Sequence, residues 1–143
     1  MRRLTIALVR FVRRRVGAAR RERLERALTA PLRRRAVLGT IFWAMPKAVS
    51  RRALEKERLA VTWRITGRRD GRADLRQLVI EDGAATVLDG EPREPDLELT
   101  MDGVAFLLLA TGNAKPQAMY LREELELSGS PWVALRLGRV FGV

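Results

Sequence analysis

Val104-Ala105-Phe106-Leu107-Leu108-Leu109-Ala110 is an unbroken apolar run set between two helix signals. Asp102 stands where an N-cap belongs, and Gly112 where a helix ends in left-handed backbone. The residues just before it alternate: Leu97, Leu99 and Met101 against Asp96, Glu98 and Thr100, the period of a half-buried strand. A helix apolar on every side must be covered on every side. A sheet can cover one flank. The other needs a second protein layer or an apolar guest, and this requirement narrows the folds open to the chain more than any other feature.

The remaining elements follow from periodicity. Residues 2–28 read as helix, with Leu4, Leu8, Phe11, Val12 and Val16 on one face. Pro31 ends that run and opens a second helix holding Leu32, Val37, Leu38, Ile41, Phe42 and Met45. Pro46 punctuates it, and a short third helix runs to about Lys56. The period then changes to two: Leu59, Val61, Trp63 and Ile65 alternate with Ala60, Thr62, Arg64 and Thr66. Strands over 75–80 and 84–88 form a hairpin about Asp82-Gly83, a dipeptide suited to the positive φ angles of a type I′ turn. A fourth strand covers 97–101. After the apolar helix come a short helix over 115–121 and a fifth strand marked by Leu125 and Leu127. A last helix follows Ser130-Pro131 and carries Trp132, Leu135, Val140 and Phe141.

Residues 95–129 taken together show a Pro-Asp strand, an Asp-capped apolar helix, a short helix bearing an aromatic (Tyr120) and a strand ending in Gly129. A closing helix with Trp132, Val133, Leu135 and Leu137 comes next. In that order these residues resemble the sterol carrier protein 2 (SCP2-type) lipid-binding family, and the resemblance covers roughly residues 41–141. It implies an α+β fold, a twisted five-stranded sheet covered by helices around an apolar cavity that holds a fatty acyl, sterol-like or isoprenoid lipid. The family is not built around a fixed catalytic set, so the resemblance carries none over.

The chain has neither His nor Cys. Imidazole general-base chemistry, Ser-His-Asp and Cys-His catalysis, disulfides and thiolate metal sites are therefore excluded within it. Glu123, Glu124 and Glu126 cluster, but nothing near them signals the cleft that acid–base work needs. Gly67-Arg68-Arg69-Asp70-Gly71 lacks the lysine and hydroxyl residue of a phosphate-binding loop. No enzyme, metal or cofactor is expected.

Charge divides the chain unevenly. Residues 1–36 hold thirteen Arg against two acids, a surplus of eleven, which is the net charge of the whole protein; residues 37–143 hold fifteen basic and fifteen acidic residues and balance. The expected organisation is a basic amphipathic helical leader over 1–30 and a lipid-binding body over 31–143. Arg2, Arg3, Arg10, Phe11, Arg13, Arg14 and Arg15 are the candidate residues for docking on an anionic membrane surface. A helix that packs on the body or on another chain is the structural alternative; the resemblance also implies, as an alternative function, an accessory factor that holds a lipid precursor for lipid-metabolising enzymes of isoprenoid quinone or lipid biosynthesis, with the leader as its docking helix. Non-specific nucleic-acid binding is disfavoured, because the leader lacks aromatics interleaved with its Arg apart from Phe11. The apolar stretch at residues 4–9 is cut by Arg10, far short of the ~20 residues a bilayer needs and too short for a secretory segment. The expected location is cytoplasmic and peripheral to a membrane.

The candidate cavity lining is Trp63, Ile65, Met101, Phe106, Leu109, Met119, Trp132, Leu135 and Phe141. Periodicity by itself favours an ordinary close-packed core in which these side chains only fill space. The all-round apolar helix and the family resemblance favour the cavity, and methionine and aromatic walls suit a flexible guest.

Overall fold

A computed structural model describes residues 21–141. Three helices come first: α1 (Arg21–Thr29), α2 (Pro31–Ala48) and α3 (Arg51–Lys56). Strands β1 (Leu59–Thr66), β2 (Asp74–Glu81), β3 (Ala84–Asp89) and β4 (Leu97–Asp102) follow. The chain closes with α4 (Gly103–Ala110), α5 (Pro116–Leu121), β5 (Glu126–Gly129) and α6 (Pro131–Val140).

The five strands form one open mixed sheet in the order β3-β2-β1-β4-β5. Strands β1–β2 and β2–β3 pair antiparallel, and the β2–β3 turn is the expected one, with Asp82 at φ 50° and Gly83 at φ 77°. The central pair β1–β4 is parallel, with Val61, Trp63 and Ile65 beside Leu97, Leu99 and Met101. The Pro-Asp entry to β4 is fixed on β1: Asp96 Oδ2 accepts from the Ala60 amide at 2.7 Å, and the Asp96 amide donates to the Ala60 carbonyl at 2.8 Å. At the far edge Gly129 sits at φ +122°, where a β-carbon would lie 2.6 Å from the Asp96 carbonyl. Only glycine fits that approach of β5 to β4.

One face of the sheet carries Leu59, Val61, Trp63, Ile65, Leu78, Ile80, Leu97, Leu99 and Met101. It packs into a single cluster with Leu38, Phe42 and Met45 of α2, Ala105 and Phe106 of α4, Met119 of α5, and Leu137 and Val140 of α6. The opposite face mixes polar residues with apolar Ala60 and Val79, and the loop before β4 packs on it. Gln77 and Thr62 are buried there, and the Gln77 amide donates to Thr62 Oγ1 and to the Arg93 carbonyl while accepting from the Arg93 amide.

The apolar helix α4 is covered on its second flank by protein. Asp102 caps it as expected, accepting from the Ala105 amide at 2.7 Å. Ala105 and Phe106 face the sheet, whereas Val104 and Leu107 form a second buried cluster with Leu24 and Leu28 of α1. Residues 21–29, on the leader side of the expected boundary at Pro31, are thus built into the body. The expected helix over residues 2–20 lies outside the described residues.

Three local expectations shift. Helix α2 continues through Pro46 to Ala48, because proline in the last turn removes just one intrahelical bond. Ser130 makes no side-chain cap bond to α6. Leu125 is buried just ahead of the four-residue β5 rather than within it.

Candidate functional site

The helix-covered face of the sheet is the enclosed region of the molecule, and Trp63 stands near its middle. In register it is flanked by Leu99 on β4 and Arg76 on β2. Its ring lies 5.5 Å from that of Phe106 across the gap to α4, and Phe106 lies 5.0 Å from Phe42 of α2. These aromatic pairs are tilted, the geometry that ring quadrupoles favour. Helix α2 presents Phe42 because Arg34, Leu38, Phe42 and Met45 recur at helical spacing on one buried stripe.

The candidate lining residues separate into three groups. Trp63, Ile65, Met101, Phe106 and Met119 are buried together in the main cluster. Leu109 and Phe141 are partly buried at its margin, beside Val133 and Ala134. Trp132 and Leu135 are not part of it: they are 74% and 66% exposed. Helix α6 turns Leu137 and Val140 inward, with Val133 four residues before Leu137, so Trp132 and Leu135 fall on the opposite side. Phe42, absent from the expected set, belongs to it by contact with Phe106. Its spacing from Leu38 and Met45 was the available signal.

Two polar features border this apolar interior. Trp63 Nε1 is buried and, among the described residues, is the one buried side-chain nitrogen or oxygen without a hydrogen-bond partner. Arg34 is the one buried charged side chain among them. Its Nε donates to Asp74 Oδ2 at 2.9 Å, and Nη2 donates to the carbonyls of Ile65 and Thr66 at 3.0 Å each, so its charge is paired with a carboxylate. Resolved electrostatic perturbations lie at exposed sites. The Arg72 backbone N–H, with Arg68, holds the Asp70 carboxyl below its ordinary range, and the Arg93 guanidinium does the same for Glu81. Such pairs belong to a solvated surface and do not poise an acid or base in a cleft. Among the described residues no group of acidic side chains is placed to hold a metal ion, and no helix is long and apolar enough to cross a membrane. The membrane-docking candidates Arg2, Arg3, Arg10, Phe11, Arg13, Arg14 and Arg15 lie outside the described residues.

Comparison with known proteins places this geometry. No curated protein matches the chain. Among solved structures, the sterol carrier protein domain 2 of Helicoverpa armigera superposes with a TM-score of 0.61 at 17% identity, covering 71% of this chain and 80% of its own. The sterol carrier protein 2-like 2 of Aedes aegypti gives 0.61 at 20% identity, covering 74% and 97%. The palmitated form of the latter gives 0.56 at 18% identity, covering 76% and 94%. These likenesses show a shared fold. The SCP-2 sterol transfer family matches residues 60–142, from the first central strand through the closing helix. By that match over more than half its length, the chain belongs to the SCP-2 sterol transfer family of lipid-binding domains.

Proposed function

We propose that this protein binds one apolar lipid between the sheet and its helical cover, and carries or presents it without chemistry of its own. The observation that supports this most directly is the composition of the interior. Trp63, Ile65, Met101, Phe106 and Met119 meet there, and partly buried Leu109, Val133 and Phe141 pack against that cluster. Met101 and Met119 are unbranched and can reshape around a guest. The palmitate held by a structure of the same fold is consistent with a hydrocarbon chain lying in such an interior.

Burial supplies the affinity. Each methylene removed from water contributes about 0.8 kcal/mol, before the cost of ordering ligand and side chains. A hydrocarbon sleeve discriminates weakly by length, so a range of chains should bind.

The Arg-rich leader gives the carrier a route to an anionic leaflet. Each Arg near such a surface contributes about 1 kcal/mol, and exposed Arg23, Arg26, Arg33 and Arg35 continue the positive charge into the described residues. Transfer would then occur at the membrane surface without the lipid crossing water. Native mass spectrometry of protein purified without delipidation, followed by organic extraction, tests the binding: a stoichiometric apolar adduct supports it. Bare protein that also fails to take up a fluorescent acyl probe overturns it.

A further inference from the structure

Trp63 combines two properties that do not belong together in a finished core. It is 4% exposed, and its Nε1–H donates to nothing among the described residues. A buried donor left without an acceptor is a standing cost that folded proteins rarely carry without a reason. Phenylalanine would supply the same contact with Phe106 and carry no donor at all. The opposite face of the sheet shows the contrast. There the buried Gln77 amide meets Thr62 Oγ1 and both backbone groups of Arg93.

Resting on the lipid-binding reading above, we propose that the Trp63 indole N–H is the polar anchor of the ligand site. The bound lipid would then be a neutral molecule with an acceptor oxygen, such as a ketone, ester or hydroxyl, rather than an ionised fatty acid. An ionised carboxylate taken into an apolar interior needs a cation that nothing else holds. Arg34 pairs with Asp74 through Nε and donates from Nη2 to two carbonyls. Arg76, the cross-strand neighbour of Trp63, is paired with Asp89 at 3.1 Å and also donates to the Leu75 carbonyl. Among the described residues the Trp63 N–H thus has no acceptor, while each of these two guanidinium charges already has a carboxylate partner. A single neutral acceptor satisfies the first condition and respects the second.

The test compares dodecane, dodecan-2-one and dodecanoate on the full-length protein, reading the indole N–H resonance of Trp63. Exposed Trp43 and Trp132 serve as internal references. Dodecan-2-one should move the Trp63 N–H downfield, and dodecane should bind without doing so. Trp63→Phe should weaken dodecan-2-one about five- to tenfold more than it weakens dodecane, the worth of one such bond. An equal loss for the ketone and the alkane would overturn the proposal and leave the lipid-binding reading standing. So would a downfield shift with dodecanoate alone that disappears in Arg76→Gln, since it would assign the N–H to a charged head group. If none of the three binds, the functional reading falls and the anchor with it. Should Trp63→Phe fail to fold, the resonance of the unaltered protein decides between the same outcomes.

Discussion

Arg34 donates from Nε to Asp74 Oδ2 at 2.9 Å, and this bond ties the first turn of α2 to the start of β2. The same guanidinium reaches the last carbonyls of β1, and its Nη1 lies 3.0 Å from where a β-carbon on Gly103 would stand, at the first residue of α4. One side chain therefore sets α2, the sheet and α4 relative to one another, and with them the Phe42–Phe106–Trp63 stack. A cation in the first turn of a helix opposes the helix dipole. Asp74 resolves that conflict from within the chain.

Arg34→Leu should destabilise the protein by about 3 kcal/mol, because it leaves two carbonyls without their donor and takes from Asp74 one of its two arginine partners, Arg68 being the other. Arg34→Lys keeps the charge but not the fork, and should recover only part of the loss. Urea denaturation of the two variants checks both. Equal stability of Arg34→Leu and the unaltered protein would remove the staple from the account.

Leu28→Ala tests whether α1 is a structural layer. Leu28 is buried against the side of α4 that faces away from the sheet, with Leu24, Val104 and Leu107. The substitution should cost about 2–5 kcal/mol and raise amide exchange in both α1 and α4. A cost under about 0.5 kcal/mol would show that this helix is an appendage.

Gly129→Ala forces a β-carbon to within 2.6 Å of the Asp96 carbonyl in backbone that L-residues avoid. It should cost about 1–3 kcal/mol and loosen the β4–β5 edge. Gly83→Ala is the control, since a β-carbon there meets nothing within 4 Å and only the φ of +77° opposes it. The two midpoints compared by thermal denaturation should rank Gly83→Ala above Gly129→Ala.

Stability should be flat between about pH 6 and 8, because the chain has no His or Cys. The carboxyls of Asp70 and Glu81 are held low by hydrogen bonds in the folded state. Their contribution is complete above the ordinary carboxylate range and fades as pH falls through the lowered folded values. Loss should therefore begin below about pH 4. A circular-dichroism titration with a transition near pH 6.5 would contradict this.

Much of the fold was legible because period and turn chemistry agreed. The alternation at Leu59–Ile65, the Asp82-Gly83 turn and the Asp102 cap all stand where the sequence predicts them. The site was less legible, for two physical reasons. In α6, Val133, Leu137 and Val140 and the pair Trp132 and Leu135 each follow helical spacing, so periodicity does not say which set faces inward. In α2, Arg34 occupies the buried stripe of Leu38, Phe42 and Met45, and a charge at such a position becomes intelligible only once Asp74, forty residues away, is placed beside it. The covering of α4 by α1 was hidden for a similar reason, since Leu24 and Leu28 lie among charged residues and read as the edge of a solvated helix.

The account depends on an apolar molecule entering between the sheet and its helices, and methyl NMR of Met101 and Met119 tests that most directly. Both methionines are buried in the interior. Titration of the full-length protein with dodecan-2-one should shift both methyl resonances and saturate at one molecule per chain. Resonances of both that stay unmoved at saturating ligand would contradict the central claim.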